Sequence, residues 1–236
     1  MSHLENLPSI LKSGALLSQE ELDKGKIRSR SIANREVQNL RRRIYIWDFS
    51  EKRYRPLHSY VPFYFTTNTP MLRNQRDSDI QHEIVIFEVN RAYIDSLGVL
   101  FTDGNASNQQ LSKSSGEQVR IIPATASMNI CHREYLPDGR PYGTNSSRSD
   151  FYHDVVFLDR VNWAVINRLQ HVDFEEYKRV VHAEVLVLDR FPLDEMQSIC
   201  VSTKGMVDTV RVIFANAGLS EDDFDLPIVY RPDLFL

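Results

Sequence analysis

Cysteine is scarce in this chain. Only Cys131 and Cys200 occur among 236 residues, too few to staple a domain of this size or to supply a metal set. They read as plain buried thiols in a reducing, cytoplasmic compartment. The seven histidines (His3, His58, His82, His132, His153, His171, His182) are scattered, with no HExxH or CxxC spacing for a zinc site. No apolar run approaches the ~18 residues that span a bilayer, so no membrane contact is expected. The start, MSHLENLPSILKSG, lacks the basic and then apolar pattern of a secretory signal. Also missing are the GxGxxG of a dinucleotide-binding strand-turn-helix, the GxxxxGK of a phosphate-binding loop and the GxSxG of a serine hydrolase. Those absences remove several common enzyme classes.

What is present is an ordinary globular composition, 42% hydrophobic and 25% charged, long enough to bury a real core. No repeat, heptad or linker interrupts it, so a single α+β or α/β domain over residues 1–236 is the simplest account. The net charge of −4 conceals a basic segment. Between positions 24 and 55 lie eleven basic residues (Lys24, Lys26, Arg28, Arg30, Arg35, Arg41, Arg42, Arg43, Lys52, Arg53, Arg55) against three acids, Glu36, Asp48 and Glu51. Such a run is either a solvated face or a footprint for phosphate groups on a dinucleotide or nucleic acid.

Periodicity places a helix over LPSILKSG, opened by Pro8 and stopped by Gly14. A second helix is expected in residues 30–43, and strands in RIYIWDF, the aromatic YVPFYFTT, HEIVIFEVN, VLFTDGNAS and MQSICVST. MVDTVRVIFANAG reads as a helix capped by Gly218, and LPIVYRPDLF as a C-terminal strand. From about 105 to 150 the composition turns to Ser, Asn, Gly, Pro and Arg, which predicts a long loop of functional character.

One residue stands out. KRVVHAEVLVLD, residues 178–189, reads as a strand with Val181, Ala183, Val185 and Val187 on one face and Val180, His182, Glu184, Leu186 and Leu188 on the other. Both faces are apolar, so the strand is expected at the centre of a sheet, where an unpaired carboxylate costs several kcal/mol or takes up a proton. Glu184 is then either ion-paired to an arginine as a structural element or a catalytic carboxylate.

Four separated blocks decide between these. SHLENLPSIL (2–11), RSIANREVQNLRRR (30–43), YVPFYFTTNTPML (60–72) and KRVVHAEVLVLDRFPLDEMQSICV (178–201) resemble, in order and spacing, the DarT family of bacterial toxins that ADP-ribosylate single-stranded DNA using NAD. FTDGNAS (101–107) is a weaker fifth match. The resemblance spans nearly the whole chain. It implies an α+β ADP-ribosyltransferase fold of two small packed β-sheets with flanking helices and an NAD cleft, with NAD as co-substrate and no metal. It also implies roles: Glu184 and Arg41 as the catalytic pair; Ser2, His3 and Asn6 in the NAD-contacting N-terminal segment, with Arg41 and Tyr64 also at the NAD; Met71 and Asn105 near the acceptor nucleotide. Lys178 to Val181 would end the loop that presents the base. His182 is expected to pack or line the pocket, plain core packing is the alternative reading of Tyr64, Phe65 and Met71, and Arg42 or Arg43 is the alternative inward-facing arginine. The partners implied are single-stranded DNA and a neighbouring antitoxin of macrodomain or NADAR type.

The residue types suit that chemistry. Breaking a nicotinamide–ribose bond builds positive charge on the ribose, as in glycoside hydrolysis, and a nearby carboxylate stabilises it. A glutamate on a rigid strand both binds a ribose hydroxyl and accepts a proton from the incoming base. The planar fork of an arginine serves phosphate or base better than lysine. A base must be unstacked to be attacked, which the aromatics and the long loop are suited to support.

The sequence departs from the family at three places. A further histidine, usual shortly before the segment matched by Ser2 and His3, precedes the point where this chain begins; either the natural start lies upstream or the NAD pocket is built differently. Asn68 stands where an arginine is usual, with Thr69 for serine, and Asn105 stands for a commoner histidine. The family has thymine-modifying and guanine-modifying branches, and the substitutions at Asn68, Thr69 and Asn105, on the acceptor side, tilt the expectation towards guanine. The competing readings are a nucleic-acid-binding module without catalysis, and the same enzyme fold acting on RNA or protein.

Overall fold

The computed structural model describes residues 1–78, 80–95, 99–109, 111, 116–136 and 148–235. The strands are β1 (Ser2–His3), β2 (Ala15–Leu17), β3 (Ile44–Asp48), β4 (Arg53–Pro56), β5 (Tyr60–Tyr64), β6 (Ile84–Val89) and β7 (Val99–Asn105). They continue as β8 (Gln118–Ile122), β9 (His132–Leu136), β10 (Phe151–Tyr152), β11 (Ala183–Leu188), β12 (Arg190–Pro192), β13 (Met196–Val201) and β14 (Ile228–Tyr230). The helices are α1 (Leu7–Ser13), α2 (Gln19–Lys24), α3 (Arg35–Arg41), α4 (Pro70–Asp77), α5 (Trp163–Ile166), α6 (Phe174–Val181) and α7 (Lys204–Asn216). The fold is α+β, and no helix among the described residues is long and apolar enough to cross a membrane. Contacts divide the chain into two compact units, Met1–Ala33 with Thr67–Tyr93 and Asp189–Leu236, and Asn34–Thr66 with Ile94–Leu188.

In the first unit one sheet runs β1-β6-β13-β14 and a two-stranded ribbon pairs β12 with β2. Ile84, Val85, Ile86 and Phe87 of β6 are all buried, so this strand is covered on both faces, as its residues on either side of the alternation are apolar. Ile84 and Ile86 pack with Leu72, Cys200 and Phe235. Local chemistry sets the helix ends as expected: α1 starts with Pro8 in its first turn and stops at Gly14, whose φ of 62° lies in the left-handed region. The Thr203 side chain accepts the Met206 N–H to open α7.

The second unit holds two four-stranded sheets, β10-β7-β11-β5 and β4-β3-β8-β9. Leu186 and Leu100 of the first sheet join Phe151 in one cluster with Ile44, Ile46, Val119 and Ile121 of the second. The opposite face packs Phe101, Tyr152 and Ala183 with Val165 of α5 and Val180 of α6. β11 is therefore central and apolar on both sides, paired antiparallel with β5 and with β7.

Two expectations are corrected here. The strand over 178–189 begins only at Ala183, because Asp173 accepts the Glu175 and Glu176 N–H groups and starts α6, which runs through Lys178 to Val181. Val180 and Val181 are buried from a helix as fully as they would be from a strand, so an apolar run alone does not tell the two apart. The loop expected over 105–150 contains β8 and β9. QVRII alternates, and Val119 and Ile121 are fully buried beside β3, with which β8 pairs in parallel. Averaging composition over the run hid that short alternation. Residues 137–147, most of LPDGRPYGTNSSRSD, lie outside the described residues.

Leu186 is fully buried at the junction of the two sheets. Leu186→Ala is expected to cost about 2–5 kcal/mol of stability through lost burial and a residual cavity, measured as a lower urea midpoint at unchanged slope.

Candidate active site

Glu184 lies in the second unit at the start of β11, 1% exposed, and Arg41, the last residue of α3, is 5% exposed. Arg41 Nη1 donates to Glu184 Oε1 at 3.0 Å and Oε2 at 2.8 Å. Of the three consecutive arginines, Arg41 is the buried one, while Arg42 is exposed. A buried ion pair gives little net stability once desolvation is counted, yet losing one partner leaves an uncompensated buried charge. Fold stability alone is therefore a weak reason to keep it.

The backbone beside Glu184 is irregular. Ala183 pairs with Asn105 and Val185 with Phe101, so Thr102, Asp103 and Gly104 of β7 stand opposite the single residue Glu184. Such bulges re-aim a side chain and interrupt the ladder. In place of a ladder carbonyl, Thr102 Oγ1 accepts the Glu184 N–H at 3.0 Å and donates its own proton to the Gly104 carbonyl at 2.6 Å. On the other side Glu184 is in register with Tyr64 of β5.

Tyr64 and His182 complete this face. Their rings meet edge to face at 5.8 Å. Burial, and then the Glu184 carboxylate, push the Tyr64 phenol above its ordinary range against the opposing effect of Arg41. Tyr64 is therefore a neutral hydroxyl at any working pH. His182 Nδ1 lies 2.8 Å from the Lys178 carbonyl, which only accepts, so Nδ1 carries the proton. Burial is the largest cause pulling the His182 pKa down, which keeps the ring neutral. The site thus combines one carboxylate, one guanidinium and two neutral polar rings.

The remaining candidates are distributed as follows. Asn105 ends β7 in register with Ala183, and its Oδ1 accepts the Ser107 N–H at 2.9 Å and the Ser107 hydroxyl at 2.6 Å. Lys178 is on α6, with Nζ 2.9 Å from Glu175 Oε1 and 4.5 Å over the Phe174 ring. Met71 belongs to the first unit, half-buried on α4. Also in the first unit, Ser2, His3 and Asn6 are brought together. His3 Nδ1 accepts the Glu5 N–H at 3.1 Å, which leaves Nε2 to donate to Glu83 Oε2 at 2.7 Å. That hydrogen bond holds the Glu83 carboxyl below its usual range. Asn6 Nδ2 donates to Ser2 Oγ at 3.1 Å and to the Arg30 carbonyl at 2.9 Å, and its Oδ1 accepts the Arg30 N–H at 2.7 Å. These side chains fasten residues 2–6 to the segment at Arg30.

The basic segment is less of a stripe than its composition suggests. It is divided between the units, and Lys24, Arg30, Arg41, Arg53 and Arg55 are each paired with a carboxylate. Sequence reasoning did not single out Thr102, Asp103 or Arg179. The Thr-Asp-Gly that interrupts the apolar run VLF was the available signal, since a glycine inside a strand pattern marks a bulge. Among the described residues no group of His, Cys, Asp and Glu is placed to hold a metal.

Comparison with known proteins gives the family of the chain. The family model described as "ssDNA thymidine ADP-ribosyltransferase, DarT" matches residues 1–135 and 138–235. A DNA ADP-ribosyl transferase of Thermus sp. (strain 2.9) is 25% identical over 215 residues, covering 90% of this chain and 84% of the relative. The solved structure of Thermus sp. 2.9 DarT in complex with ADP-ribosylated ssDNA superposes with a TM-score of 0.72 at 20% identity, over 100% of this chain and 93% of that one. The same protein in complex with NAD+ gives a TM-score of 0.65 at 20% identity, over 100% and 94%.

Arg41→Ala and Glu184→Ala are each expected to destabilise the chain by about 3–5 kcal/mol. The double variant should lose less than the sum, with a coupling of about 1–3 kcal/mol, read from urea melts of the four proteins.

Proposed function

Because the chain belongs to the DarT family of NAD-dependent DNA ADP-ribosyltransferases, we propose that Glu184 and Arg41 carry transfer of ADP-ribose from NAD to a guanine or thymine base in single-stranded DNA, releasing nicotinamide. The observation that carries this is the buried Arg41–Glu184 pair, held where the ladder between β11 and β7 shifts register. A site built against local regularity is one where position matters more than stability.

In the reaction, the bond from ribose C1′ to nicotinamide breaks and its electron pair leaves with nicotinamide. A base nitrogen forms the new bond to C1′ and its proton passes to the Glu184 carboxylate. Before that, the carboxylate stabilises the positive charge that develops on the ribose. Arg41, which holds both carboxylate oxygens through one nitrogen, fixes the orientation of Glu184 and places positive charge beside the NAD phosphates or the base. Tyr64 offers a neutral hydroxyl next to the carboxylate, at the nicotinamide. Ser2, His3 and Asn6 shape the N-terminal segment that contacts NAD. Met71, Asn105 and Lys178 serve the acceptor strand. By family resemblance the protein is a toxin of the bacterial cytoplasm, restrained by an antitoxin with a macrodomain or NADAR-type hydrolase that removes the ADP-ribose.

The test is incubation with labelled NAD and separate pools of single-stranded DNA, RNA and protein, followed by mass spectrometry of digested oligonucleotides containing all four bases. Label is expected on guanine or thymine in DNA. Label confined to RNA or protein, or no transfer at all, contradicts the proposal.

A further inference from the structure

The bulge opposite Glu184 is held from outside by charged groups that the reaction itself does not use. Asp103, its middle residue, accepts the Asp150 N–H on Oδ1 at 2.7 Å, and the same oxygen lies 3.5 Å from Arg179 Nη1 of α6. Arg179 also donates to the Asp103 carbonyl at 3.3 Å, and is itself fixed by Glu176 through bonds of 2.7 and 2.8 Å. On the other side, Arg133 of β9 pairs with Asp150 and donates to the Ser149 carbonyl at 2.6 Å. Gly104 leaves no slack: a Cβ there would lie 2.6 Å from Ser149 Oγ and 2.7 Å from Arg179 Nη1. Thr102, the residue before Asp103, binds the Glu184 N–H.

Resting on the functional reading above, we propose that Asp103 is a positioning residue for catalysis. Its carboxylate, tied to Arg179 and to the Asp150 backbone, holds the β7 bulge in the shape that lets Thr102 fix the Glu184 backbone.

The cluster at Asp103 holds three carboxylates, Asp103 itself with Asp150 and Glu176, and two guanidiniums, Arg133 and Arg179. Burial keeps the neighbouring Cys131 thiol and Tyr152 phenol protonated, raising the thiol to about 11. One negative charge is in excess, and Asp103 is the carboxyl that burial pushes up, to about 6, against the opposing pull of Arg179. Protonation removes the charge that Arg179 binds, so the bulge loosens as pH falls through about 6. The linkage to global stability has the opposite sign. A carboxyl raised in the folded state adds stability that is complete below its unfolded pKa and is lost as pH rises through about 6. The ionised carboxylate is therefore kept in place at neutral pH at some cost to the fold.

Asp103→Asn keeps the shape of the protonated acid and separates these effects. At pH 7.5 its Tm is expected to hold or rise, while the single-turnover rate of ADP-ribose transfer to DNA falls about tenfold or more with little change in the KM for NAD. The ratio of wild-type to variant rate should contract towards one as pH falls below about 6. Hydrogen exchange of the 182–186 backbone should show about tenfold less protection of the Glu184 amide in Asp103→Asn, and likewise in Arg179→Met. That readout needs no activity, so it decides the role of Asp103 even if the wild-type protein transfers nothing to DNA, a result that would remove the functional reading instead. Wild-type protection of the Glu184 amide in both variants would overturn the proposal.

Discussion

One ion pair constrains how the second unit folds. Arg41 and Glu184 are 143 positions apart in the chain and meet in the interior, at 2.8 Å. Each charge would be costly to bury alone, so each requires the other. The pair therefore links the end of α3 to the start of β11, and the segments between must fold so that both arrive. A hydrophobic pair would meet the same structural need with less penalty. That it is ionic is the physical reason to look for chemistry.

The surroundings carry the same preference for position over regularity. β11 is central, covered on one side by the second sheet and on the other by α5 and α6, which gives Glu184 a rigid base. At Glu184 itself the ladder to β7 breaks, and a threonine hydroxyl replaces a backbone carbonyl. The bulge in turn is kept open by the Asp103 carboxylate, by Arg179 reaching from α6, and by the Asp150 backbone. Tyr64 and His182 add polar groups without adding charge. The site keeps one carboxylate balanced by one guanidinium, which suits a step that first builds positive charge on a ribose and then needs an acceptor for one proton.

Much of this was legible in the sequence, and what was missed has physical causes. Glu184 announced itself because a carboxylate in a strand with two apolar faces conflicts with its surroundings, and the placement of β11 at the sheet centre bears that out. The inward choice of Arg41 from three arginines rested on a resemblance and agrees with the burial. The boundary of β11 was misread because Val180 and Val181 are equally buried from a helix. β8 and β9 were hidden because five-residue strands vanish inside a forty-residue average of polar composition. The Asp103 network was invisible because its members, at 103, 133, 150, 176 and 179, are separated in sequence and unremarkable one at a time.

The central claim is that Glu184 performs the transfer and is not merely a buried partner of Arg41. Single-turnover measurement of nicotinamide release and of DNA modification by Glu184→Gln, which keeps the side-chain shape and removes the charge, separates the two most directly. The account predicts that both rates fall together by about 10²–10³-fold in a protein that still shows the native far-ultraviolet circular dichroism. DNA modification at the wild-type rate by Glu184→Gln would contradict it.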